Sequence, residues 1–180
     1  MRLFVEVPIP ENMKKGLVRV GKEISGETIT PVKPVNMHAT LKFIGEMQEH
    51  QVVEIEKLLG EIKFSRFLCK VNGVGVFPNQ DYVKVVWAGI ESNGKLEELA
   101  TQVISALNGY GKLDTFSAHI TIARVKRKTG KGMQTFLEKY KDKEFGRFEV
   151  TCFNLVESRL GRDGPAHFII TSFGLMNKER

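Results

Sequence analysis

Cysteine is nearly absent: the chain holds two, Cys69 and Cys152, and neither belongs to a Cys-x-x-Cys pair. That excludes a disulfide scaffold; both lie in strand-like segments and read as buried, reduced thiols rather than ligands or nucleophiles. Long apolar runs are missing too. The longest, Val85-Val86-Trp87-Ala88-Gly89-Ile90, is far too short to span a bilayer. At the N-terminus Leu3-Phe4-Val5 meets Glu6 at once, so there is no signal-peptide core. These absences point to a cytoplasmic protein with no membrane partner. No linker or low-complexity segment divides residues 1–180, which reads as a single domain. Hydrophobic residues at 42% and charged residues at 27% exclude a disordered or collagen-like chain. The net charge of +6 is a moderate excess that tilts the partner towards phosphate or nucleic acid.

What is present is an ordered alternation. Strands are predicted over Arg2–Ile9, Met37–Ile44, Phe64–Val76, Tyr82–Ile90, Ala118–Val125, Gly146–Val156 and His167–Phe173. Between them, Met13, Leu17, Val20 and Ile24 form one helical stripe within 11–25. Val52, Ile55, Leu58, Leu59 and Ile62 form a second within 49–62, and Leu96, Leu99, Val103, Ile104 and Leu107 a third within 94–108. Met133–Tyr140 reads as a short helix. The order of elements repeats at an offset of about 81 residues, which aligns His38 with His119 and the strand near Ser65 with that near Gly146. A unit that occurs twice predicts two lobes around an approximate two-fold axis, with equivalent positions facing each other across a cleft.

The repeat aligns His38-Ala39-Thr40-Leu41 with His119-Ile120-Thr121-Ile122. On a strand, His and Thr two apart share one face, ~6.6 Å apart, while Ala39, Leu41 and Phe43, like Ile120 and Ile122, would take the buried face. Two imidazoles and two hydroxyls with a cation nearby suit in-line attack at a phosphodiester. One histidine removes a proton from the nucleophile, the other protonates the leaving oxygen, and the hydroxyls and an arginine stabilise the phosphoryl charge. Histidine fits because its ordinary pKa lets one copy be neutral and the other charged near neutrality. The tetrads contain no Asp or Glu, so neither a metal nor another cofactor is expected. Of the four histidines, His50 and His167 have no repeat partner and read as surface or structural.

Paired tetrads of this kind resemble the 2H phosphoesterase superfamily, and the flanks resemble its RNA 2′,3′-cyclic phosphodiesterases, historically called 2′-5′ RNA ligases. The matching segments are Arg2-Leu3-Phe4-Val5, Met37 to Gly45, Gly75-Val76-Phe77-Pro78, Val85 to Gly89, Ala118 to Arg124 and Glu157-Ser158-Arg159-Leu160. The resemblance implies an α+β fold, bilobal, with two antiparallel sheets lining a central cleft and helices on the outer faces. It also implies metal-independent opening of an RNA terminal 2′,3′-cyclic phosphate to a 2′-phosphate, and in some members reversible ATP-independent 2′-5′ joining. Carried over by residue, His119 would be the base, His38 the acid, and Thr40 and Thr121 the holders of the phosphoryl oxygens. The two tetrads look alike, so from sequence the acid and base roles are interchangeable. The family's arginine falls on Arg124, which strict alternation puts on the face opposite His119; it reaches the site only through a bulge, a twist or the strand's end.

Other residues could serve an RNA end. Lys42 shares the predicted face of His38 and Thr40, at the rim of the cleft. Stacking rings could come from Phe4, Phe77, Tyr82 or Trp87. The run Arg124-Val125-Lys126-Arg127-Lys128-Thr129-Gly130-Lys131 carries five positive charges; it is either a solvated loop or a track for the RNA backbone that begins at Lys126. The expected partner is RNA with a 2′,3′-cyclic phosphate end, tRNA fragments included, with no obligatory protein partner and a monomer favoured. Two rival readings are a small nucleotide cyclic phosphate as substrate and an RNA-end-binding module without turnover.

Overall fold

A computed structural model of the chain describes residues 1–112, 115–127, 132–162 and 164–177. Its elements in order are β1 (Arg2–Pro8), α1 (Glu11–Glu23), β2 (Ile29–Pro31), a 3-10 turn at Pro34–Asn36, β3 (His38–Glu46), α2 (Glu49–Gly60), β4 (Phe67–Pro78) and β5 (Val83–Glu91). α3 (Lys95–Ala106), β6 (His119–Val125), α4 (Gly132–Tyr140), β7 (Glu144–Val150), β8 (Cys152–Gly161) and β9 (Gly164–Gly174) follow. The strands form two sheets, ordered β3-β1-β8-β9 and β2-β6-β5-β4-β7, with every ladder antiparallel. This is the α+β, two-lobed arrangement that the resemblance implies.

The helices form where the apolar stripes lie. Met13, Leu17 and Val20 are buried on α1, Val52, Ile55 and Leu59 on α2, and Leu96, Leu99 and Val103 on α3. Each fully buried Leu or Ile contributes roughly 2 kcal/mol of transfer free energy, so these stripes, not helix propensity, hold the helices in place. Two of them cross over: α1 packs against β6 of the five-stranded sheet, and α3 against β3 of the four-stranded one. Each lobe's tetrad strand is thus backed by a helix that follows a strand of the other lobe. Gly21 makes one of these contacts possible, since a Cβ there would sit 2.9 Å from the Ile122 carbonyl oxygen.

Four sequence expectations change. The predicted strand over 146–156 is two strands broken at Thr151: β7 closes the five-stranded sheet on β4, and β8 enters the four-stranded sheet beside β1. The chain changes sheets there, and a continuous β-rich pattern hides it. By sheet position β4 therefore corresponds to β8, the strand beside the first strand of each lobe, and not to the strand near Gly146. The short strand β2 has too few residues to show a period. Of the two thiols Cys69 is buried, whereas Cys152 is only partly so. Among the described residues, no helix is long and apolar enough to cross a membrane.

Candidate active site

Two equivalent bulges build the site. β1 and β3 pair Pro8 with His38, Glu6 with Thr40, Val5 with Lys42 and Phe4 with Phe43, skipping Leu41. β5 and β6 pair Gly89 with His119, Trp87 with Thr121, Val86 with Ala123 and Val85 with Arg124, skipping Ile122. Every residue in the second set is offset by 81 from its counterpart. An extra residue reverses the alternation downstream. So Leu41 and Lys42 are both buried and Phe43 emerges, just as Ile122 and Ala123 are buried and Arg124 emerges. Arg124 consequently shares the face of His119 and Thr121, and Phe43 is 55% exposed instead of core. Strict alternation fails at both positions for this reason.

The two imidazoles are held alike. His38 Nδ1 lies 2.8 Å from the Asn36 carbonyl oxygen, and His119 Nδ1 lies 2.8 Å from that of Ser117. A carbonyl only accepts, so Nδ1 carries the proton in both rings, and each neutral ring presents an Nε2 lone pair. His38 Nε2 accepts from the Thr40 hydroxyl at 3.0 Å. A cavity of about 340 Å³ is lined from both sheets, by Thr40, Lys42, Phe43, Phe77, Phe116 and His119 among others.

Their surroundings differ. Burial above all, then His167, Arg124 and His119, push His38 down to about 4, with the bond to Asn36 acting the other way. Burial and then Arg124 also lower His119, opposed by its bond to Ser117. The ring of Phe77 meets His119 edge-on at 5.0 Å, and Trp87 lies 6.4 Å from it. Against His38 stand Phe4 at 4.8 Å and His167 at 5.2 Å, with Glu6 Oε2 3.6 Å from Nδ1. The positive charge of Arg124 acts on all three imidazoles, His38, His119 and His167, and disfavours the charged form of each.

The remaining candidates divide. Phe77 and Trp87 flank His119 and are half-buried. Gly75 allows this, because a Cβ there would lie 2.2 Å from the Trp87 ring. Lys42 is not at an exposed rim: it is 4% exposed, lines the cavity, and donates from Nζ to the Lys112 carbonyl at 3.1 Å. Phe4 is buried beneath His38 and supports it, leaving no free face for a base. Tyr82 is exposed and pairs with the Lys84 ammonium. Lys126 is exposed just past the end of β6, outside the cavity lining, and Lys128 to Lys131 of the basic run lie outside the described residues. Sequence reasoning missed Glu6, Phe43, Phe116 and His167. Only the glutamate inside an apolar strand, Val5-Glu6-Val7, was a visible signal. Among the described residues, no three His, Cys, Asp or Glu side chains are grouped to hold a metal ion.

Comparison with known proteins agrees with this geometry. The family model described as LigT like Phosphoesterase matches residues 7–87. The RNA 2′,3′-cyclic phosphodiesterase of Archaeoglobus fulgidus is 38% identical over 170 residues, covering 93% of this chain and 96% of that protein. The protein of the same name from Methanocaldococcus jannaschii is 34% identical over 173 residues, covering 94% and 98%. Among solved structures, a protein of Thermus thermophilus, TT0787, superposes with a TM-score of 0.86 at 27% identity, over 99% of this chain and 100% of that one. LigT of E. coli, solved with 3′-AMP, shares the fold with a TM-score of 0.81 at 22% identity, over 97% of each chain. The fold is that of the two-histidine phosphoesterases. Within that class the chain belongs to the LigT-like phosphoesterase family, and it is an enzyme.

Proposed function

We propose that this phosphoesterase opens the terminal 2′,3′-cyclic phosphate of RNA to a 2′-phosphate, tRNA fragments being among its substrates, with the whole chain acting as one two-lobed unit. The observation that carries the reading is the matched pair of imidazoles, each with Nδ1–H committed to a carbonyl and so with its Nε2 lone pair on the opposite side, that of His38 meeting the Thr40 hydroxyl. The names of the relatives from A. fulgidus and M. jannaschii support the substrate.

In the proposed reaction His119 Nε2 takes a proton from water as its oxygen attacks phosphorus. The bond from phosphorus to the 3′ oxygen breaks, and His38, protonated at Nε2, gives that oxygen its proton. Thr40, Thr121 and Arg124 donate to the non-bridging oxygens, where charge accumulates. Phe77 in the cavity wall, with Trp87 beside it, would take the terminal nucleoside, Lys42 lines the same cavity, and Lys126, exposed just past β6, would meet the RNA backbone. The substrate's negative charge raises both depressed imidazole pKa values on binding, which brings an imidazolium within reach at neutral pH. A 5′-hydroxyl in place of water would form a 2′-5′ bond through the same transfers, so joining without ATP belongs to the proposal. Every proton moves between protein and substrate groups, so no metal is required.

The test is an oligonucleotide ending in a 2′,3′-cyclic phosphate, incubated in EDTA and analysed for its terminus. Conversion to a 2′-phosphate is expected. A 3′-phosphate product would overturn the regiochemistry, and loss of turnover in EDTA would overturn the metal-free route. Turnover only of mononucleotide cyclic phosphates would replace RNA as the substrate, and tight RNA binding with no turnover would leave a binding module.

A further inference from the structure

Glu6 stands where an apolar residue would cost less. It lies in β1 between Val5 and Val7, is 7% exposed, and its cross-strand neighbours are Thr40 on one side and Asn154 on the other. A buried carboxylate needs compensation. Asn154, itself 2% exposed, donates from Nδ2 to Oε1 at 3.2 Å, while Oε2 lies 3.6 Å from His38 Nδ1. The Asn154 Oδ1 atom has no hydrogen-bond partner, so the amide is oriented by Glu6 alone. In the other lobe the same ladder position, opposite Thr121, is Trp87. Among the described residues, Glu6 is the one carboxylate within ion-pair range of either tetrad histidine.

We infer that Glu6 is a positioning residue, held by Asn154 on the Nδ1 side of His38, that favours the imidazolium form of His38 once an anionic phosphate occupies the cavity. It thereby assigns the acid role to His38 and the base role to His119. The inference rests on the two-histidine reading above and deepens it. With the phosphate against Nε2 and the carboxylate against Nδ1, the protonated ring lies between two negative charges. His119 has Phe77, Trp87 and the Arg124 cation around it and, beyond its bond to the Ser117 carbonyl, gains only from the phosphate. The groups facing His38 are Glu6 from β1, Arg124 and His119 from β6, His167 from β9 and the Asn36 carbonyl; Lys14 of α1 acts on Glu6. Of these, Arg124, His119 and His167 disfavour imidazolium, the Asn36 carbonyl favours it, and Glu6, 3.6 Å from Nδ1, is the negative charge set against those three. Glu6 transfers no proton to substrate; it acts through His38.

The test is an NMR titration of histidine-labelled protein with saturating inorganic phosphate, comparing wild type with Glu6→Gln. Glutamine keeps an acceptor for Asn154 and removes the charge. The His38 midpoint should fall by about one unit, a tenfold change in its protonation equilibrium, and the His119 midpoint by much less. Asn154→Ala, which keeps the carboxylate but removes its donor and so makes it harder to ionise, should lower the His38 midpoint by a smaller step. On the cyclic-phosphate oligonucleotide, the alkaline limb of the kcat profile, which reports the occupied site, should move to lower pH in Glu6→Gln and the acidic limb stay in place. A merely structural role would instead lower the rate evenly at all pH. A His38 midpoint unchanged by Glu6→Gln, or a larger shift at His119, overturns the inference. The titration needs no turnover, so absence of activity on the oligonucleotide would count against the substrate reading alone.

Discussion

Residues 4–8 with 38–44 and residues 85–89 with 119–125 follow the same ladder, with the same bulge and the same carbonyl behind each imidazole. The side chains on that shared backbone are not the same. Glutamate at 6 is answered by tryptophan at 87, and phenylalanine at 43 by arginine at 124. The repeated ladder sets where the two imidazoles stand; on the mechanism proposed above, the divergent neighbours tell the acid from the base. A symmetric site could supply two equal bases, but acid–base catalysis needs one group charged and one neutral. The difference is made in the residues beside the tetrads, not within them.

The hardest test of that comparison removes the parts the two lobes share. His38→Ala and His119→Ala should each lower kcat by at least ~10²-fold, the lower range for a lost general acid or base. The double variant should be little slower than either alone, because the two groups act in one transition state. Turnover measured across pH sharpens it: each single variant should lose one limb of the bell-shaped profile. If either variant keeps near wild-type turnover, the paired mechanism is wrong.

A second pair separates the two bulge-exposed positions. Arg124→Ala should lower kcat by about 10²-fold, through loss of a donor where phosphoryl charge develops. Phe43→Ala, at the equivalent position, should raise KM about tenfold with kcat nearly unchanged, as expected for a ring that stacks on a base. Steady-state kinetics of both on the cyclic-phosphate oligonucleotide decides it. Equal losses of kcat would mean that the two positions do the same work.

Most of the frame was legible because it rests on periods. The apolar stripes of α1, α2 and α3 are the buried faces, and the tetrads stood out because the chain has so few histidines. What escaped was every feature that breaks a period. Skipping Leu41 turns Phe43 outward and Lys42 inward, and skipping Ile122 turns Arg124 to the face of His119, which the resemblance implied and the period did not; a bulge leaves no mark in a string of residues that all favour strands. The change of sheet at Thr151 is hidden for the same reason. His167 escaped because its relation to His38 runs through a ladder across β1, β8 and β9, which no local spacing encodes.

The smallest effect is on stability, and it also tells the lobes apart. His38 sits near 4 when folded and at the ordinary 6.5 when unfolded, so the unfolded chain binds more protons between those values. Its share of stability is therefore present above about 6.5 and lost as pH falls towards 4, roughly 3 kcal/mol at the limit. Glu6 works in the opposite direction. Burial raises its pKa above 4.5, so its share is present at low pH and lost as pH rises through the folded value. The two work against each other, and urea unfolding between pH 7 and pH 4.5 reads the balance. Glu6→Gln should steepen the loss towards acid and His38→Gln should flatten it. His119→Gln should flatten it less, since His119 is less deeply buried than His38. If His119→Gln removes as much of the slope as His38→Gln, the two imidazoles are buried alike, and the asymmetry drawn between the lobes fails at its base.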